Sequence, residues 1–75
     1  MTQDQIEALA ELERRRFINS IQIKFLTRAS DVDADSAKEQ LGMGLKIALL
    51  AVQEIEDQGN ASWDIDLMTR IYGGQ

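Results

Sequence analysis

The stretch Ser36-Ala37-Lys38-Glu39-Gln40-Leu41-Gly42-Met43-Gly44-Leu45-Lys46-Ile47-Ala48-Leu49-Leu50-Ala51-Val52-Gln53-Glu54-Ile55-Glu56-Asp57-Gln58 decides the fold. At 3.6 residues per turn, Ala37, Leu41, Leu45, Ala48, Val52 and Ile55 fall on one side of a helix spanning residues 36–58. Met43, Ile47 and Leu50 fall on nearly the opposite side. A helix that is apolar on two sides needs cover on two sides. One short chain covers one side easily, and the other calls for a partner. Gly42 and Gly44 cost helix stability relative to alanine, and Gly44 lies one turn before Ala48, where it permits close approach of another helix.

Outward from this helix, the preceding segment also reads as helical. Thr2 and Gln5 have capping-box spacing, Asp4 and Glu7 stand near the start, and Lys24 and Arg28 near the end, matching the helix dipole. The helix is expected over residues 3–28. Ile6, Ala10, Phe17 and Ile21 share one face, while Leu12, Ile23 and Leu26 share another. Alternation at Ile21, Ile23 and Phe25 has the period of a strand, but no second such run exists to pair with it. Asn19-Ser20 is a place for a kink or restart.

Ser30, Asp31, Asp33 and Asp35 are capping residues, so the central helix starts between Asp31 and Ser36. Gly59-Asn60 provides a left-handed stop after Gln58. A third helix is expected over residues 63–72, capped by Ser62, with Trp63, Leu67 and Ile71 in one stripe and Met68 and Tyr72 beside it. The expected fold is therefore all-α in a single domain, residues 1–75. It is a long helical hairpin with a short third helix folded across part of it. A 26-residue helix is ~39 Å long, whereas a compact globule of this size is only ~29 Å across. The open side of such a hairpin is most simply closed by homodimerisation into a helical bundle.

Composition excludes several function classes. The 75 residues hold no cysteine and no histidine, which removes thiolate metal sites, disulfides and the commonest general base. The net charge of −5 opposes binding to phosphate backbones and anionic lipid. No apolar run reaches membrane-spanning length, and residues 1–13 lack a basic-then-apolar signal pattern, so a cytoplasmic location is expected. Nothing pairs a nucleophile with a base or forms a phosphate-binding glycine loop, so no catalysis, cofactor or metal is expected.

Asp31, Asp33 and Asp35 have the spacing that opens a calcium-binding EF-hand loop. The glycine and glutamate required at the sixth and twelfth positions are here Ser36 and Gly42. A capped helix start explains the aspartates better. Arg14-Arg15-Arg16 is the sole basic run. Its members spread around a helix beside Glu11 and Glu13, which reads as surface ion pairs, with Glu11 and Arg15 at i,i+4 spacing. A nucleic-acid-binding regulator using Arg14, Arg15 and Arg16 is one alternative reading.

The segment Asp31-Val32-Asp33-Ala34-Asp35-Ser36 resembles the region around the modified serine of acyl carrier proteins. The resemblance covers six residues and implies a carrier with phosphopantetheine on Ser36, which is a second alternative. The chain departs from that family's pattern in having Ala37 where leucine usually follows, in the length of the helix after Ser36, and in lacking proline later on.

The leading expectation is a small acidic protein-protein interaction module: an adaptor, a regulator or an inhibitor of a larger protein. Met43, Ile47 and Leu50 are its candidate apolar contacts. Glu54, Glu56, Asp57, Asp64 and Asp66 are candidates for an acidic patch that presents carboxylates where a nucleic acid would present phosphates.

Overall fold

A computed structural model describes residues 1–73. It contains α1 (Gln3–Ala29), α2 (Ala34–Asp57) and α3 (Ile65–Tyr72), with no strand among the described residues. The all-helical hairpin with a short third helix is thus present, and the caps explain its boundaries.

Thr2 begins α1 with a full capping box: its hydroxyl accepts from the Gln5 amide, and the Gln5 side chain accepts from the Thr2 amide. α1 then runs unbroken through Asn19-Ser20, so residues 19–25 continue the helix despite their alternating pattern. Strand-like alternation has no force without a partner strand.

Asp33 caps α2 by accepting from the Ser36 amide at 2.8 Å, so the helix begins at Ala34, inside the expected Asp31–Ser36 window. At its far end, the Asn60 amide donates to the Ile55 carbonyl and the Gly59 amide to the Glu56 carbonyl. These two bonds form a Schellman stop, which requires the left-handed φ of +72° at Gly59.

The expected cap at Ser62 is corrected to Asp64, which accepts from the Leu67 amide at 2.9 Å. Trp63 consequently lies outside α3, and the helix has a different phase from the expected stripe. Met68 is buried, whereas Leu67 and Ile71 are exposed.

The arrangement is one helix thick. α1 and α2 run antiparallel. α3 packs on α1 alone, and α2 and α3 do not approach within 8 Å of each other, Cα to Cα. The Met1 amino group donates to the Tyr72 carbonyl at 3.2 Å, which sets the end of α3 beside the start of α1. α3 therefore continues the line of α2 along α1 instead of folding across the hairpin. The molecule measures 53 × 22 × 13 Å. Its radius of gyration is 15.7 Å, against about 11 Å for a compact chain of this length.

The main core sits where α1, the end of α2 and the 58–64 connection meet. Ile6, Ala10, Val52, Ala61, Trp63 and Met68 are buried there, with Leu9, Phe17, Ile18 and Ile55 packed around them. The Phe17 and Trp63 rings lie 5.2 Å apart, tilted by 43°. Toward the hairpin tip the core narrows to Phe25 against Gly44, with Ala29 buried one turn further on.

That narrowing corrects the expected phase of α2. The buried line is Gly44, Ala48 and Val52. Leu41 and Leu45, expected on the covered stripe, are 45% and 46% exposed. A bulky leucine is not what lets two helix backbones approach; the missing side chain of Gly44 is, and the leucines are displaced to the rim. Among the described residues, no helix is long and apolar enough to cross a membrane.

Candidate functional site: an acidic cleft and an apolar groove on one face

Two concavities lie along the slab. The first is a cleft of about 500 Å³ at the α3 end. Its acidic groups come from three places: Glu7 and Glu11 from α1, Glu56 from the end of α2, and Asp64 and Asp66 from the start of α3. Arg14 is its only basic residue, and its guanidinium holds Glu56 at 3.3 Å. Trp63 lines the cleft and is 8% exposed; its buried indole N–H finds no acceptor among the described residues. A shallow depression bordered by Arg14, Leu49, Val52, Gln53, Glu56 and Asp57 continues from the cleft.

The second concavity, about 410 Å³, lies nearer the hairpin tip and is lined by Asn19, Gln22, Ile23, Leu26, Leu41 and Leu45. Leu49, Leu45 and Leu41 follow each other at four-residue spacing, so they form one ridge leading from the depression into this groove. Cleft, depression and groove therefore lie on the same broad face.

The sequence candidates divide between the two faces. Glu56, Asp64 and Asp66 converge in the cleft, and Asp57 borders the depression. Glu54 does not join them: two residues from Glu56 it points about 160° away, and its carboxylate accepts from the Gln58 amide side chain. Met43, Ile47 and Leu50 are all exposed. Met43 and Ile47 each lie two residues from a member of the Leu41–Leu45–Leu49 ridge and so turn to the other broad face, while Leu50, two residues from both Ala48 and Val52, points away from the buried line along the outer edge of α2.

Sequence reasoning missed Glu7 and Glu11 as cleft residues. Their i,i+4 spacing was the available signal. It also missed the groove, because Leu41 and Leu45 were assigned to the covered stripe.

The remaining candidates have local structural roles. The three arginines are each engaged by a carboxylate: Arg14 with Glu56, Arg15 with Glu11 at 2.7 Å and Arg16 with Glu13 at 3.2 Å. Ser36 occupies the third position of α2, and its amide is held by Asp33. The 24-residue α2 is unlike the short helix that the carrier-protein resemblance implies. Asp33 has its carboxyl held below the ordinary value of 3.8, first by the hydrogen bond from the Ser36 backbone and then by one from the Ser36 side chain. Its charge serves the helix start. Comparison with family models, curated proteins and solved structures finds no match to this chain.

Proposed function

We propose that this chain is a small acidic protein-interaction module that self-associates and recognises a basic surface on a larger protein. The observation that carries this reading is the 13 Å thickness of the fold. A single layer of helices has no second layer to bury its apolar residues. Leu26, Leu41 and Leu45 stay exposed on one broad face, Met43 and Ile47 on the other, and Leu50 at the outer edge of α2. Apolar surface of that extent on a small protein marks an interaction site.

The acidic cleft supplies the chemistry of recognition. With Glu11 and Glu56 paired to Arg15 and Arg14, the remaining carboxylates Glu7, Asp64 and Asp66 favour a partner segment rich in lysine or arginine, including the kind of surface that otherwise holds phosphates. The pairing of Arg14, Arg15 and Arg16 with carboxylates weighs against direct nucleic-acid binding.

The test is affinity capture with the chain and with its Glu56→Lys, Asp64→Lys double variant, followed by mass spectrometry of intact complexes. A partner retained by the parent and lost by the variant, with association slowed by salt, supports the reading. Equal capture by both, insensitive to salt, removes the cleft from the interface. Salt-sensitive binding of the isolated chain to duplex DNA overturns the reading and brings the arginines forward.

A further inference from the structure

We infer that the groove formed by Ile23, Leu26, Leu41 and Leu45 is the seat of a second copy of this chain, so that two hairpins stack groove to groove into a four-helix bundle. This deepens the self-association part of the reading above and rests on it.

Three observations identify the occupant. The first is area. The chain exposes 5605 Å². A folded monomer of 8.4 kDa is expected to expose about 4600 Å². The excess of about 1000 Å² is close to the ~800 Å² that each partner contributes to a standard interface. It accounts for one covered face, not two.

The second is charge. Of the eight basic and thirteen acidic residues, only Lys24, Arg28 and Lys46 fall within residues 17–30 and 40–53, the two stretches that carry the groove; Asp31, Asp33, Asp35, Lys38 and Glu39 lie beyond it, at the hairpin tip. By helical spacing Lys24 and Arg28 both point about 160° from Leu26, and Arg28 lies over the Phe25 ring, 5.1 Å from its centroid. Lys46 points to the outer edge of α2. The groove itself is lined by four apolar side chains and the amides of Asn19 and Gln22. Two copies related by a two-fold axis bring the same patch against itself, which places like charges together wherever the patch is charged. An uncharged patch escapes that penalty, and depletion of charge is the mark of an interface core. The opposite face lacks this property, because by the same spacing Lys24 and Arg28 lie on it together with Met43 and Ile47.

The third is shape. A slab 22 Å wide and 13 Å thick, doubled in thickness, has a nearly square cross-section of two helices by two. That is the geometry in which four helices bury a common core. Stacking centred on the groove leaves the two acidic clefts toward opposite ends of the pair, open to partners.

Sedimentation equilibrium in the micromolar range tests the proposal on the parent chain, on Leu26→Asp with Leu45→Asp, and on Met43→Asp with Leu50→Asp. A dimeric parent is expected. The groove variant should be monomeric with its helical circular dichroism retained, its dissociation constant raised by a factor of about 100 or more from desolvating two carboxylates on each copy. The Met43 and Leu50 variant should remain a dimer. Methyl signals of the unmodified chain give an answer even if a variant unfolds. Those of Ile23, Leu26, Leu41 and Leu45 should be shielded from a soluble paramagnetic probe, and those of Ile47 and Leu50 attenuated. The reverse pattern overturns the groove as the contact and leaves self-association through the other face. A monomeric parent overturns the second copy as occupant, while the acidic-cleft reading stands or falls on its own charge-reversal test.

Discussion

Gly44 meets Phe25 so closely that a Cβ built on the glycine would lie 2.8 Å from the Phe25 Cβ and 2.9 Å from its Cγ. Neither atom is the free end of a flexible side chain, so relief requires the helices to separate. Gly42, two residues earlier in the same helix, has nothing within 4 Å of the corresponding position.

The two glycines therefore respond in opposite directions to alanine. Gly44→Ala should destabilise the chain by roughly 1–3 kcal/mol through overpacking. Gly42→Ala should stabilise it by about 0.5–1 kcal/mol, because alanine is the better helix former and meets no obstacle. Urea midpoints of both variants against the parent measure this. A Gly44→Ala variant as stable as the parent would contradict the close packing.

Val52 and Leu45 lie seven residues apart on α2 and differ in consequence. Val52 is 2% exposed and belongs to the core, so Val52→Asp should abolish folding, and Val52→Ala should cost about 2 kcal/mol. Leu45→Asp should leave a folded monomer. Thermal melts followed by circular dichroism distinguish them; loss of helix in both would return Leu45 to the covered side.

Gly59 stops α2 at a positive φ of 72°. Replacing it with alanine forces an L side chain into the left-handed region, at about 1–2 kcal/mol. Nothing lies within 4 Å of the added Cβ, so the loss should reflect backbone strain alone. Gly59→Asn should recover part of it, since asparagine tolerates that conformation.

Arg15→Ala should change stability by about 0–1 kcal/mol, since its pair with Glu11 is solvated on both sides. A larger loss in a melt would mean that Arg15 meets something beyond Glu11.

Acid should weaken the start of α2. The Asp33 carboxyl is held below 3.8 by its bonds from Ser36. A depressed folded-state pKa means its stabilising contribution is complete above the unfolded value and fades as pH falls through the folded one. Asparagine caps without titrating in this range. The loss of urea resistance between pH 6 and pH 3 should therefore be smaller in Asp33→Asn than in the parent, and an equal loss would place the acid sensitivity elsewhere.

The extended helical hairpin could be read from periodicity and caps, because Thr2, Gln5 and Gly59 act within a few residues of themselves. Burial at the hairpin tip could not. Hydrophobic patterning favours Leu41 and Leu45 for the interior, whereas the packing is set by Gly44 and Phe25, a pair nineteen residues apart whose fit depends on an absent side chain. Ser62 and Asp64 are both competent caps, so local sequence does not decide the start of α3; in the structure Asp64 caps the helix and Trp63, just before it, packs on Phe17. The cleft was half legible. Glu56, Asp64 and Asp66 were grouped by proximity in the chain, but Glu7 and Glu11 join them only through the antiparallel course of the fold.

α2 and α3 each lean on α1 without a close backbone approach to each other, yet Val52 of α2 and Met68 of α3 are buried in one core against Ile6 and Ala10. Opening the α3 end therefore also uncovers Val52. Native-state hydrogen exchange should show the hairpin tip, where the core narrows to Phe25 over Gly44, losing protection at a lower free energy than the segments around Ile6, Ala10 and Val52. The hairpin tip joins residues close in sequence and suits early closure, whereas the α3 end docks across the 71 residues that separate Met1 from Tyr72 and should form last.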